Sequence, residues 1–243
     1  MMTGLTAILG GGGGGGGGGG TEPDQLQGLQ LWLEGDTGYT DKSSNAYTVT
    51  NNGSTNTDTL NGLNVFSFNG SSQYINMGAQ LGKPASFTII SVINTNSTST
   101  QYIAGSMNSI GVATTVWGNF FLSQSGLPTG SLLSYNSSNT DFGTSWSTDN
   151  LLSASTWYVI AQRYTAGDDF IDIWVDGVQA TIAQNSFGDS NEGTIYDYAI
   201  GRAGEFAASY FNGKISEFIV SDAAESTQDI LDLTSSLQTK YAL

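Results

Sequence analysis

The sequence predicts an all-β antiparallel sandwich, closed by one short C-terminal helix and preceded by an extended glycine-rich arm. Three observations carry that expectation. From Gln27 onward, short apolar stretches are separated by Asn, Gly, Ser and Thr; one amphipathic stripe ends the chain; and an unbroken glycine run begins at Gly10 and ends at Gly20. Short strands with turn signals roughly every 8 to 12 residues mark a sandwich or barrel. The 243 residues are enough to bury one large core.

The chain opens with residues 1–9, whose only large aliphatic side chains are Leu5, Ile8 and Leu9. This stretch lacks the positive start and long apolar run of a secretory signal. It reads as an apolar plug that enters a groove on a partner, with a frayed tail as the bland alternative. Residues 10–20 hold 11 of the 33 glycines. Polyglycine has no side chain to bury and maximal backbone entropy, so it forms no core of its own. As a coil the run spans about 18 Å, and fully extended about 34 Å. A tether or strap lying in a groove is one reading; glycine strands bundled between copies, with a trimer as the natural symmetry, is the other. Residues 1–26 are therefore expected to be the anchor and arm, and residues 27–243 one globular domain.

Within that domain, residues 29–33, 64–68, 73–77, 86–94, 157–164, 170–175, 195–201 and 215–220 read as strands. Alternation in the stretch 170–175 puts Phe170, Asp172 and Trp174 on one face and Ile171, Ile173 and Val175 on the other. Asp176-Gly177 between two apolar-bearing segments is the strongest hairpin signal in the chain. Ser226 followed by Asp229 resembles a capping box with Asp in place of Glu. Ile230, Leu233, Leu237 and Tyr241 then share a helical face, expected to pack on the domain's own core.

Composition removes whole chemistries. With 21 acidic and 6 basic side chains the formal charge is −15, which argues against nucleic acid and anionic membranes as partners. Charged residues are 11%, against roughly 25% in ordinary domains, so Ser, Thr, Asn and Gln must supply the polar surface. Histidine and cysteine are absent, so there is no Ser-His-Asp or Cys-His catalysis, no disulfide and no ordinary zinc site. Any metal would be a hard, oxygen-ligated ion such as calcium. No apolar run approaches the roughly 20 residues that span a bilayer, so no membrane insertion is expected.

The order of several motifs resembles laminin-G-like domains of the concanavalin A-like lectin/glucanase group. The first half supplies Leu31-Trp32-Leu33-Glu34-Gly35-Asp36-Thr37-Gly38, Leu60-Asn61-Gly62, Phe66-Ser67-Phe68-Asn69-Gly70 and Gln73-Tyr74-Ile75. The second half supplies Trp157-Tyr158-Val159-Ile160, Ile173-Trp174-Val175-Asp176-Gly177-Val178, Ile200-Gly201-Arg202 and Phe211-Asn212-Gly213-Lys214-Ile215-Ser216-Glu217. The resemblance implies a jelly-roll of two curved antiparallel sheets. It places Trp32, Trp157 and Trp174 between the sheets, and Gly70, Gly177 and Gly213 at turns or close backbone approaches. Sugar-binding, adhesive, enzymatic and purely structural proteins share this fold, so function must come from the site.

Glucanases of this group carry Glu-x-Asp-x-x-Glu or Glu-x-Asp-x-Glu on one strand. Here Glu34-Gly35-Asp36 begins such a pattern, but no third acid follows. Asp169 and Asp172, three apart, point to opposite faces of a strand. Glycoside hydrolysis needs two carboxylates on one cleft roughly 5 to 10 Å apart, so a non-enzymatic protein is expected. Asp168 with Asp169, Asp189 with Glu192, and Asp36 with Asp41 could offer oxygens to calcium, but none has the spacing of an EF-hand. No cofactor is expected, with calcium the alternative.

Sugars are held by aromatic platforms together with Asn, Asp and backbone groups. Trp117, Asn119, Tyr135, Asp141 and Trp146 lie in polar, loop-like surroundings and are the candidate carbohydrate-binding residues; burial is the alternative role for each tryptophan. Asn-x-Ser/Thr triplets begin at Asn52, Asn69, Asn96 and Asn136, and matter only on a eukaryotic secretory route. Laminin-G-like domains with short glycine-rich leaders are similar to virion proteins of tailed bacteriophages. The expectation is thus a virion-surface structural protein, a capsid decoration, fibre or tail-associated protein. Its arm, anchored through Leu5, Ile8, Leu9 and the Gly10 to Gly20 strap, contacts other assembly proteins, and its lectin-like domain adheres to host-surface glycans. A secreted or cell-surface carbohydrate-binding module is the alternative, with a glycan hydrolase behind it.

Overall fold

The structure, a computed structural model, describes residues 21–53, 57–107, 116–122, 130–137, 142–168, 171–185, 196–205 and 207–243. The anchoring positions Leu5, Ile8, Leu9, Gly10 and Gly20 lie outside the described residues, as do Asp141, Asp169, Phe170, Asp189 and Glu192.

In chain order the strands are β1 (Leu29–Glu34), β2 (Thr50–Asn52), β3 (Thr57–Leu60), β4 (Leu63–Asn69), β5 (Tyr74–Asn76), β6 (Phe87–Thr95), β7 (Gln101–Ser106) and β8 (Val116–Leu122). They continue as β9 (Leu132–Ser137), β10 (Phe142–Ser147), β11 (Trp157–Tyr164), β12 (Ile171–Val175), β13 (Val178–Gln179), β14 (Ile182–Asn185), β15 (Tyr198–Ile200) and β16 (Asn212–Ser221), followed by helix α1 (Thr227–Tyr241). Two antiparallel sheets result. The back sheet runs β13-β12-β11-β6-β16-β4-β3, with β1 also paired to β16; the front sheet runs β14-β10-β9-β8-β7-β15-β5-β2.

The sandwich has two apolar layers. Leu31, Leu33, Phe66, Phe68, Ile89 and Ile93 of the back sheet meet Ile75, Leu122, Leu132 and Ile200 of the front sheet in the inter-sheet core. On the other side of the back sheet, Ile90, Val92, Val159 and Ile219 meet Ile230, Leu233, Leu237 and Tyr241 of α1. The β6 strand is buried at every position because both its faces are covered. That is why it reads as a continuous apolar run and not as an alternation. The helical stripe packs on its own domain, as its spacing predicts.

Each expected strand is present, and the face assignment in β12 holds: Ile171, Ile173 and Val175 enter the inter-sheet core while Trp174 faces α1. The tryptophans need a correction. Trp32, Trp157 and Trp174 do not fill the space between the sheets but the layer beneath α1. Strand alternation is the reason. Trp32 sits between Leu31 and Leu33, which both point inward, so its indole must point outward. Trp117 is the tryptophan of the inter-sheet core, 1% exposed and stacked 4.8 Å from Tyr198.

Local chemistry sets the connections. Asp176 and Gly177 both have positive φ, 50° and 79°, the pair that a two-residue type I′ turn requires between β12 and β13. At Gly213 the reason is space, because a Cβ would lie 2.2 Å from the Asn94 carbonyl oxygen of β6. Ser226 caps α1 by accepting the Asp229 N–H, while the Ser226 hydroxyl donates to the Asp229 carboxylate at 2.6 Å. Asp thus completes the cap from the side chain, whereas the Glu of an ordinary capping box reaches back to the backbone. Among the described residues no helix is long and apolar enough to cross a membrane.

Candidate functional site

The nearest approach to a hydrolase pair lies on the back sheet. Glu34 of β1 and Glu217 of β16 are cross-strand partners. Lys240 of α1 closes on both, 2.6 Å from Glu34 Oε1 and 2.8 Å from Glu217 Oε2. Lys42 takes the other Glu34 oxygen at 2.6 Å. Trp32 Nε1–H donates to Glu217 Oε1 at 2.6 Å, and the Tyr241 hydroxyl donates to Oε2 at 2.8 Å. Every carboxylate oxygen is occupied, and Glu217 is fully buried. Burial pulls the Glu34 carboxyl up, but Lys240 and Lys42 outweigh it and hold it below its ordinary value. Burial likewise pulls Lys240 down, and the charges of Glu217 and Glu34 raise it above the usual lysine range. Burial and the Glu217 charge push the Tyr241 hydroxyl far up. A substrate finds no free carboxylate here; the cluster clasps α1 to the sheet.

Asp36, Asp41 and Asp172 serve the fold in the same way. Asp36 Oδ1 accepts the Asn64 N–H at 3.1 Å. Asp41 accepts four donors: Trp32 N–H at 3.0 Å, Ser43 N–H at 2.9 Å, the Ser43 hydroxyl at 2.8 Å and Tyr47 N–H at 2.9 Å. A carboxylate so filled organises its loop and has no lone pair directed at a cation. Asp172, on β12, pairs with Arg163 at 2.7 Å. Among the described residues no group of three metal-ligating side chains gathers.

The front sheet collects the expected sugar-binding positions on adjacent strands. Asn119 of β8 stands opposite Tyr135 of β9, and Tyr135 opposite Thr144 of β10. One row on, Phe121, Leu133 and Trp146 are opposite one another. Leu122 and Leu132, the next row, enter the inter-sheet core. Positions 119, 135 and 146 thus lie in nearby rows of three adjacent strands. Leu133 and Tyr102, in the row of position 146, are buried. Asp141 falls outside the described residues.

Trp117 is separated from this group. Its ring packs between Phe87 and Tyr198, 5.7 Å and 4.8 Å away, so it offers no face to a ligand at the surface. A register irregularity between Val116 and Asn119 shifts it out of the Asn119 row. Trp117 lines a pocket of about 240 Å³ together with residues that include Gln30, Lys83, Pro84 and Asp222. Gln30 Nε2 already donates to Asp222 at 2.8 Å, and Gln30 Oε1 accepts from Tyr47 at 3.1 Å. Trp117 Nε1 has no acceptor among the described residues.

A further cluster lies on the front sheet at β5 and β15. The Arg202 guanidinium stands 3.5 Å above the Tyr74 ring, and Tyr210 is tilted against Tyr74 with centroids 6.3 Å apart. All three are partly exposed. The loop that carries Arg202 and Tyr210 is stitched to β7: Gly204 N–H donates to Gly105 O, Tyr102 N–H to Ser209 O, and Phe211 N–H closes back on Gly201 O, each at 2.8 Å. Sequence reasoning did not assign these residues to a site. Arg202 is one of six cations, which was the available signal, but that no described acid pairs with it is visible only in three dimensions.

No curated protein sequence matches the chain. Domain 4 of AbnA, a GH43 extracellular arabinanase from Geobacillus stearothermophilus solved with arabinotriose, superposes with TM-score 0.60 at 16% identity, covering 85% of this chain and 98% of that one. The binding domain of Paraclostridial Mosquitocidal Protein 1 gives 0.65 at 13% identity over 86% of this chain and 52% of that one. The binding domain of Botulinum Neurotoxin DC, solved in complex with SialylT, gives 0.65 at 13% identity over 89% and 53%. The chain thus spans about half the length of those toxin domains, and these likenesses show the fold alone. The profile of the laminin-G-like family matches residues 69–231, more than half of the sequence, and the chain belongs to that family, within the concanavalin A-like lectin/glucanases superfamily.

Proposed function

We propose that the protein is a non-enzymatic glycan-binding domain displayed on a virion, as a capsid decoration, fibre or tail-associated protein held by its N-terminal arm. The observation that carries the glycan reading is the front sheet. Strand register brings positions 119, 135 and 146 together on three adjacent strands, and Tyr74, Arg202 and Tyr210 cluster at the same sheet. Aromatic faces beside amide and guanidinium donors are what a sugar needs, an apolar ring face framed by hydroxyls. The arabinanase domain and the neurotoxin domain, solved with arabinotriose and SialylT, support a carbohydrate ligand for this fold. The acids nearest to a hydrolytic pair, Glu34 and Glu217, are sealed by Lys240, which supports binding without hydrolysis.

The virion reading rests on residues 1–20. An aliphatic plug joined to a glycine strap orders only against another chain, because ordering glycine costs the most backbone entropy. Copies bundled through their straps would make a trimer. Titration of the full chain with a glycan panel tests the first part: binding without release of reducing sugar is expected, and silence across the panel refutes it. Deleting residues 1–20 tests the second. Loss of the protein from purified particles is expected, and full occupancy refutes attachment through the arm. The coverage of domain 4 of an arabinanase along 98% of its length favours, as second reading, a carbohydrate-binding module of a larger secreted protein.

A further inference from the structure

We infer that Arg202, stacked on Tyr74 beside Tyr210, binds the carboxylate of an acidic sugar, a uronate or a sialate. The inference rests on the glycan-binding reading and narrows it to a ligand class.

Charge accounting singles the residue out. In a chain of formal charge −15, Lys42, Arg163, Lys214 and Lys240 each hold a carboxylate at 2.5 to 2.8 Å. Arg202 forms no ion pair among the described residues. Two acids stand close in sequence and neither is spent on it. The Asp197 carboxylate accepts from Asn76 Nδ2 at 2.8 Å, and Glu205, on the same loop, is exposed. Among the described residues the guanidinium also has no hydrogen-bond acceptor, and its Nε is buried without one. An unmatched charged donor is costly, and where it persists a missing acceptor is the usual explanation.

Geometry says what that acceptor is. With Nε enclosed, the terminal nitrogen pair is the end left to bind, and a planar fork of two N–H donors fits a carboxylate bidentately. The Tyr74 ring beneath holds the guanidinium plane in place. Tyr210, 6.3 Å from Tyr74 and tilted by 49°, adds a second aromatic wall for the apolar face of the sugar ring. Asn52 stands opposite Tyr74 in the β2–β5 register, its amide nitrogen donating to the Thr50 carbonyl at 3.2 Å. The loop hydrogen bonds to β7 keep Arg202 and Tyr210 in position before any ligand arrives, which lowers the ordering cost of binding. A phosphate would satisfy the same fork, but it has no ring face for the two tyrosines.

The test is calorimetric titration of the full chain with two matched pairs: methyl glucuronide against methyl glucoside, and 3′-sialyllactose against lactose. The acidic member of at least one pair binds more tightly, and which pair responds identifies uronate or sialate. R202Q lowers affinity for that sugar by about 10- to 100-fold, the worth of charge-assisted hydrogen bonds, and lowers the neutral sugar by much less, so the acidic preference is lost. R202K keeps the charge but loses the fork and the stack, so it recovers only part of the loss; it also serves if R202Q misfolds. Y74A weakens both members of the pair. Equal binding of acidic and neutral sugars, or an R202Q protein that keeps the acidic preference, overturns this inference and leaves glycan binding standing. No binding of any sugar, here or in the wider panel, overturns both.

Discussion

Replacing Lys240 by Met tests how the helix is fastened. Lys240 is the cation shared by Glu34 and Glu217, at 2.6 and 2.8 Å, and Glu217 has no exposure to water. Met fills similar volume without charge, so the packing of α1 on Val159 and Ile219 survives while Glu217 keeps only the neutral donors Trp32 and Tyr241. Removing one partner of a buried ion pair costs about 3–5 kcal/mol, because the remaining charge has lost its compensation but not its desolvation. Urea unfolding at pH 7 measures this. E217Q/K240M, which removes both charges, recovers much of the loss. The pH profile has a definite sign. In the native chain the Glu34 carboxyl lies below its unfolded value, so its contribution is present above the ordinary carboxylate range and lost as pH falls through the lowered value. Lys240 lies above its unfolded value, so its contribution is complete below the usual lysine range and lost as pH rises through the raised value. A K240M protein within about 1 kcal/mol of the native one at pH 7 refutes the argument.

Trp117→Ala should cost about 3–5 kcal/mol in denaturant unfolding, as expected for emptying a core tryptophan site; unchanged stability with abolished sugar binding would restore Trp117 as a ligand platform. Asp41→Ala strands three backbone N–H groups and one hydroxyl, and should lose about 1–3 kcal/mol; a calcium titration of both proteins shows whether any metal depends on that carboxylate. Burial, with the Asp229 and Asp222 charges, raises the Glu225 carboxyl, so its stabilising share is complete below the ordinary carboxylate range and declines as pH rises through the raised value. Glu225→Gln should therefore be more stable than the native chain at pH 7 and equal to it near pH 4, measured by thermal melts across that range.

Much of the fold was legible along the chain. The stretch 170–175 alternates, and its two faces go to the two layers the alternation names. The turn Asp176-Gly177 and the cap Ser226 are local chemistry and stand where local chemistry puts them. Strand β8 escaped notice because Gly118-Asn119 interrupts its apolar run, and β2, β3, β7, β9, β10, β13 and β14 because they are short or rich in Ser, Thr, Asn and Gly. Such segments have little intrinsic β preference, and they become strands by pairing with neighbours distant in sequence. The candidate site was legible in part: residue types chosen for polar surroundings around Asn119, Tyr135 and Trp146 fall on adjacent strands, while Trp117 falls in the core.

The sequence alone determined the class of the molecule: many short strands, one terminal helix, an acidic chain without imidazole or thiol chemistry, and a glycine arm with no core of its own. Those properties follow from composition and from periods of two and 3.6 residues, which neighbours along the chain are enough to express. Tertiary structure alone decided that Trp117 is core, that Lys240 neutralises two acids, and that Arg202 meets no acid among the described residues. Each of these is a distance between residues far apart in sequence, set by strand order and by the docking of α1, and no local pattern encodes it.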